Sequence, residues 1–318
     1  MGIGENKELS GLLSEARELS WEKWGKKIDF YLPGMITLNK EKGKYPAISI
    51  TGESCELNCG HCGGKLLKSM IPATTPEKLI ERCIKINESG TQGCLISGGC
   101  LKNGRIPWEP FIEAISEVKK LTTLNISIHS GLIDLETAKR FKDAGVDQVL
   151  IDVIGDDETF KTVCHTNAGI ESIRNSLKAL RQAGIPIAPH IVAGLNYGEI
   201  KGEWDALKMI AEFEPPILVI VVLMPLTGTP MQNVLPPDPS EVARLIAMAR
   251  IQMPDTLISL GCARPRGKVS EELEVLAIDS GVNRVAIWSD AAIKRAKEYG
   301  LEIGFHKTCC SVTGGACV

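Results

Sequence analysis

The chain opens with apolar residues at helical spacing: within residues 5–25, Leu9, Leu12, Leu13, Ala16 and Leu19 fall along one side of a helix. Eight short apolar, β-branched runs follow, at 47–52, 93–99, 124–130, 146–153, 185–195, 217–225, 257–262 and 282–288. Amphipathic stretches of helical length separate them. Several of these start at a capping residue (Thr75, Asp134, Asp238, Ser270), and several stop at a glycine (Gly90, Gly145, Gly184, Gly281). Strands buried on both faces of a parallel sheet read as such continuous apolar runs. Eight β–α units predict an α/β fold, a (βα)8 TIM-type barrel, in preference to a doubly wound open sheet. The expected division is an N-terminal helical extension (1–45), the barrel (46–300) and a C-terminal cysteine-bearing tail (301–318).

A barrel of this kind carries its chemistry at the C-terminal ends of its strands. Those ends hold Ser54 and the cysteines after it, Ser97-Gly98-Gly99-Cys100, His129, Asp152, Gly194, Met224-Pro225, Cys262 with Arg264, and Trp288.

Composition narrows the function mainly by exclusion. With 36 Lys+Arg against 39 Asp+Glu, the net charge of −3 advertises no nucleic-acid partner. The longest apolar run, 217–225, is far too short to span a bilayer, and the polar N-terminus does not read as a secretory signal. A cytoplasmic protein is expected. Eleven cysteines are then anomalous, because reducing compartments disfavour disulfides and clustered thiols there point to metal or catalysis.

Directly after the first strand stands Cys55-Glu56-Leu57-Asn58-Cys59-Gly60-His61-Cys62. Three thiolates at C-x3-C-x2-C spacing suit three corners of an iron–sulfur cubane and leave one iron open. Structural zinc prefers four closed ligands; His61 would complete such a set on paper, but it adjoins Cys62.

This motif resembles the signature of the radical S-adenosylmethionine (SAM) superfamily. The resemblance implies a [4Fe-4S] cluster on Cys55, Cys59 and Cys62 whose open iron chelates SAM, with His61 at the aromatic-type position before the last cysteine. It also implies reductive cleavage of SAM to a 5′-deoxyadenosyl radical that abstracts hydrogen from substrate. Ser97, Gly98 and Gly99 resemble the family's Gly-Gly-Glu-type element for the SAM amino group, although Cys100 stands at the acidic position and remains to be explained. HIVAGL (190–195) resembles the fifth-strand element, with Val192 against adenine, and LMPLTGTPM (223–231), with Met224, resembles the sixth-strand adenine segment. Asp152 is a candidate for the SAM ribose or a helix cap, and His129 for SAM, substrate or the core. Lys65, Lys68, Arg264 and Arg266 are weighed for a carboxylate.

An eighth strand makes the chain resemble biotin synthase and its relatives. Biotin synthase keeps a second cluster on three strand cysteines and an arginine. Here the second strand offers Cys94 and the eighth Arg284, but strands three and five offer no thiol. The tail supplies Cys309, Cys310 and Cys317, which with Cys262 are the expected ligands of a second Fe-S cluster. Adjacent tail thiols are also compatible with a redox pair or plain surface residues. The chain looks most like a subunit of the two-component lipoyl synthases. That implies sulfur insertion into an octanoyl chain, a flavodoxin or ferredoxin reductant, a second radical SAM subunit and a lipoyl-domain or octanoyl-carrier substrate. The alternatives are a single-cluster enzyme for rearrangement or C–C bond formation, and a non-catalytic Fe–S subunit of a radical SAM complex.

Overall fold

The computed structural model describes residues 3–38 and 40–313. Helix α1 (Ile3–Trp24) leads into β1 (Lys27–Tyr31) and a small antiparallel hairpin, β2 (Thr37–Leu38) with β3 (Glu41–Lys42). The strands that follow are β4 (Ala47–Ser49), β5 (Ile71–Pro72), β6 (Gly93–Ser97), β7 (Asn125–His129), β8 (Gln148–Asp152), β9 (Ile187–Ala193), β10 (Ile217–Val222), β11 (Leu257–Leu260), β12 (Arg284–Ala286) and β13 (Glu302–His306). Helices intervene: α2 (Pro76–Glu88), α3 (Ile112–Leu121), α4 (Leu135–Asp143), α5 (Asp157–Thr162), α6 (Ile170–Ala183), α7 (Glu203–Ala211), α8 (Pro239–Gln252), α9 (Lys268–Asp279) and α10 (Asp290–Glu298).

Apart from the hairpin, the strands form one curled parallel sheet of eleven, ordered β13-β1-β12-β11-β10-β9-β8-β7-β6-β4-β5. The eight expected strands are β4 and β6 to β12, adjacent in chain order as a TIM-type fold requires. The structure adds three strands, β1 beside β12, β13 beside β1, and the short β5 beside β4. Tyr31 registers with both Ala286 of β12 and His306 of β13, and the Lys44 amide donates to the Lys307 carbonyl at 2.5 Å. KIDFY and EIGFH interleave charged residues with apolar ones, which hid them in a search for continuous apolar runs.

The two faces of the sheet are set by alternation along each strand. In β10, buried throughout, Leu218, Ile220 and Val222 join the main core under the helices, while Ile217, Val219 and Val221 belong to a second cluster inside the curl. Leu150, Ala188, Tyr31 and Ala286 share that interior, with Leu95 and Val192 packed against it. Cys94 faces the other way: it lies with Cys83 of α2 in the outer core, not on the interior wall where an interior cluster would need it.

The helix ends largely follow the sequence signals. The side chains of Thr75, Asp134 and Asp238 accept from main-chain amides at 3.3, 2.9 and 2.8 Å. Ser270 is not a cap: α9 begins earlier, after Gly267, and the buried Ser270 hydroxyl contacts Glu274 and Arg264. Helix α1 buries Leu9, Leu13 and Ala16 against Ala243 and Ala247 of α8. A Cβ at Gly281 would come within 2.7 Å of the Arg17 backbone, so glycine admits α1 there.

Candidate functional site

The loop after β4 carries the three-cysteine motif on a tight turn. The amides of Cys62 and Gly63 both donate to the Cys59 carbonyl, at 3.1 and 2.8 Å. The turn is braced from outside: the Gly60 amide donates to Val163 O at 2.7 Å, the Met231 amide donates to Gly60 O at 3.3 Å, and His165 Nδ1 lies 3.0 Å from Leu57 O. Among the described residues, ligand atoms of Cys59, His61 and Cys62 lie within 4.8 Å of one another. Their mutual sulfur hydrogen bond, with burial, pushes the Cys62 thiol up to about 12. His61 Nδ1 is buried without a partner. Two thiols converge there beside an unsatisfied imidazole nitrogen, and the third, Cys55, borders the same turn against Gly64 and Gly99; three cysteines so placed fit an iron–sulfur cluster.

Glycines let β6 approach this loop. A Cβ on Gly99 would stand 2.0 Å from Ser54 O and 2.6 Å from Cys55 Cβ, and one on Gly98 would stand 3.1 Å from Ile50 and Thr51 side chains. The Gly99 amide donates to Thr51 Oγ1 at 2.7 Å, and the Glu56 amide donates to Cys100 O at 2.8 Å. Ser97 Oγ donates to His129 O at 3.2 Å.

Strand parity turns Ser97, His129, Asp152, His190 and Val192 toward the interior. His129 Nε2 lies 3.5 Å from Asp152 Oδ1, and the His129 and His190 rings meet edge-on at 5.7 Å. Against desolvation, which raises it, the His129 imidazole holds the Asp152 carboxyl down at about 2. Burial depresses His190 to about 4, and its Nδ1 sits 3.0 Å from Ala188 O. Val192 helps line a small hollow, about 10 Å³ and so no larger than a water molecule needs, together with Asp156 and Glu203. Met224 is half-buried just past β10. Glu203 was not anticipated: its carboxylate accepts from the Gly194 and Lys201 amides, both at 2.7 Å, and so fixes the end of β9. An acidic residue in the first turn of α7 was its only sequence signal.

The tail enters the interior. Beyond β13, Cys310 is buried among Tyr31, Leu150, Ala188, Val219, Val221 and Ala286, with Cys262 packed against that cluster. Arg284 points inward, its Nη1 donating to Cys310 O and Val312 O at 3.0 and 2.7 Å. Farther on, the Thr313 amide donates to Gln148 Oε1 of β8 at 3.1 Å, so the segment crosses the curl. A hydrogen bond from Cys310 lowers the Cys309 thiol to about 6 and raises Cys310, while burial lifts Cys262 to about 11. Cys262, Cys309 and Cys310 do not form a group as close as Cys59, His61 and Cys62, and Cys317 lies outside the described residues.

The basic residues weighed for a carboxylate are engaged elsewhere. Arg264 is fully buried, pairing with Glu274 at 2.8 Å and donating to the carbonyls of Gly261 and Ala286 at 2.6 Å. Arg266 donates to Cys262 O at 2.9 Å, Lys65 to Thr227 O at 2.7 Å, and Lys68 faces Glu53. No described helix is long and apolar enough to cross a membrane.

Comparison with known proteins agrees with this geometry. A model of the radical SAM superfamily matches residues 49–208, and one of the Biotin and Thiamin Synthesis associated domain matches residues 219–307. The biotin synthase of Brucella ovis is 28% identical over 262 residues, covering 79% of this chain and 75% of its own, and that of Brucella canis matches equally. In fold, the chain is similar to methylornithine synthase (TM-score 0.62, 17% identity, 93% of this chain and 89% of that one). It is also similar to HydG, a maturase of the [FeFe]-hydrogenase (TM-score 0.67, 16% identity, 93% and 68%).

Proposed function

The chain belongs to the radical SAM superfamily, and from that premise we propose that it inserts sulfur into an unactivated C–H bond of an octanoyl chain, as one subunit of a two-component lipoyl-forming system. The observation that carries this reading is the course of the tail, which brings Cys309 and Cys310 to the interior beside Cys262, under an inward-pointing Arg284. These thiols, with Cys317, are the candidate ligands of a second cluster, the sulfur source.

The [4Fe-4S] cluster and SAM of this family supply a low-potential electron and the 5′-deoxyadenosyl radical. The residues of the chain do the rest. Cys55, Cys59 and Cys62 hold the cluster at the mouth and leave one iron for SAM. The Ser97, Gly98 and Gly99 carbonyls accept from the SAM amino group. His61, His129 and Asp152 line the nucleoside side, with Val192 and Met224 against adenine. Leu95, Leu150, Ala188, Val219 and Val221 form an apolar interior, packed by Cys310, that excludes water. Electrons would come from a flavodoxin or ferredoxin in a reducing cytoplasm, and the acyl chain from a lipoyl domain or another octanoyl carrier.

Among the described residues Cys262, Cys309 and Cys310 do not gather as Cys59, His61 and Cys62 do, which favours a second reading, a single-cluster enzyme for rearrangement or C–C bond formation. Iron and acid-labile sulfide per chain after anaerobic reconstitution separate the two. About eight irons, falling to about four in the Cys55/Cys59/Cys62 triple alanine variant, support sulfur insertion. About four falling to none would end it. One retained cluster with no deoxyadenosine formed would instead mark a non-catalytic Fe–S subunit.

A further inference from the structure

Cys100 directly follows Ser97-Gly98-Gly99, at the acidic position implied by their resemblance to a Gly-Gly-Glu-type element, and its surroundings give the thiol a use. Its main chain is latched onto the cysteine turn from both sides. The Glu56 amide donates to the Cys100 carbonyl at 2.8 Å, and the Glu56 carboxylate accepts from the Lys102 amide, two residues on, at 3.1 Å. One residue earlier, the missing Cβ of Gly99 lets the Cys55 backbone approach to 2.7 Å from where that atom would lie. The Cys100 main chain therefore cannot leave the turn without breaking these contacts, and its side chain is packed, like those of Cys55 and Cys62, against the main core. Besides burial, the groups that bear on it are Cys55, Asp152 and Cys62. Asp152 faces the interior, so Cys100 sits between the cysteine turn and the space where substrate and SAM must enter. A second cysteine outside the motif, Cys164, meets Cys59 both through its carbonyl, which accepts from Cys59 Sγ at 3.7 Å, and through its side chain, and is therefore the rival for the same role.

A cubane on three protein thiolates has one iron whose fourth ligand must come from elsewhere. We propose that in the SAM-free protein Cys100 supplies that ligand as a fourth thiolate, and that SAM displaces it on binding. In the exchange the iron–sulfur bond to Cys100 breaks and bonds form from iron to the amino nitrogen and carboxylate oxygen of SAM. The proton given up by the SAM ammonium passes to the released thiolate, and no electron moves. A soft thiolate binds this iron more firmly than water or a carboxylate, so the resting cluster is guarded against loss of its exposed iron. The proposal rests on superfamily membership alone, independently of lipoyl assembly.

The test follows loss of the open iron, which leaves a paramagnetic [3Fe-4S] cluster visible by EPR. Wild type, Cys100→Ala, Cys100→Ser and Cys164→Ala are reconstituted anaerobically, freed of SAM, and treated with stoichiometric ferricyanide in the presence and absence of added SAM. Wild type and Cys164→Ala should give little signal either way. Both Cys100 variants should give a several-fold larger signal that SAM suppresses. The SAM-suppressible part reports only on the SAM-binding cluster, whatever other clusters are present. A wild-type signal that SAM suppresses several-fold overturns the proposal, and this holds even where a variant fails to assemble. Sensitisation of Cys164→Ala in place of the Cys100 variants overturns it as well.

Discussion

The guanidinium of Arg284, on β12, holds the carbonyl of Cys310 at 3.0 Å and so ties the end of the chain inside the sheet. The same Nη1 reaches Val312 O at 2.7 Å, and the group lies 5.1 Å from the Tyr31 ring. One strand residue thus decides whether two tail thiols face the interior or solvent.

Arg284→Met removes both donors and leaves two buried carbonyls unpaired, at a cost of about 1–3 kcal/mol each if the tail stays in place. Release of the tail is the expected response. Alkylation of the apo-protein, read by mass spectrometry, should show Cys309 and Cys310 labelled much faster than in wild type. Cys83 and Cys94, in the outer core, should remain protected.

Cys59→Ala should abolish 5′-deoxyadenosine formation from SAM and dithionite, because two thiolates on the turn cannot retain the cubane. Product quantified by chromatography checks this, and undiminished turnover would contradict the assignment of the cluster.

Gly99→Ala should leave the fold intact but push the cysteine turn away, since the new methyl meets the Ser54 carbonyl and Cys55. Iron content after reconstitution should drop severely while far-UV circular dichroism stays unchanged.

The Arg264–Glu274 pair is buried at both ends, so Glu274→Gln strands a cation rather than merely losing a contact. The expected loss is about 3–5 kcal/mol, measured by denaturant unfolding of the apo-protein. Surface pairs such as Arg105–Asp134 should matter far less.

His190, depressed to about 4 by burial and the neighbouring His129, takes up a proton on unfolding at any pH between that value and its ordinary one. Its stabilising contribution is complete above about pH 6.5 and is lost as the pH falls toward 4, at up to about 1.4 kcal/mol per pH unit. The thermal midpoint of wild type should therefore fall more steeply over this window than that of His190→Gln. Parallel slopes would contradict the assignment.

The alternation of apolar runs with amphipathic stretches, and the C-x3-C-x2-C turn, were readable from sequence because both are local. Periodicity records burial over a few residues, and three cysteines within eight residues can converge whatever surrounds them. Spacing could not tell which wall a residue joins. Cys94 and Leu95 are neighbours, yet one faces α2 and the other the interior, and Arg264 looks like a mouth residue until Glu274 is found beside it. Strands β1 and β13 were missed because each pairs with the other from the opposite end of the chain. By itself the sequence determined the β–α order and the first trio of thiols. Tertiary structure alone decided that Arg284 points inward and that Cys310 lies among Leu150, Ala188 and Val219, because those contacts join separate strands to the tail and exist only once the sheet has curled.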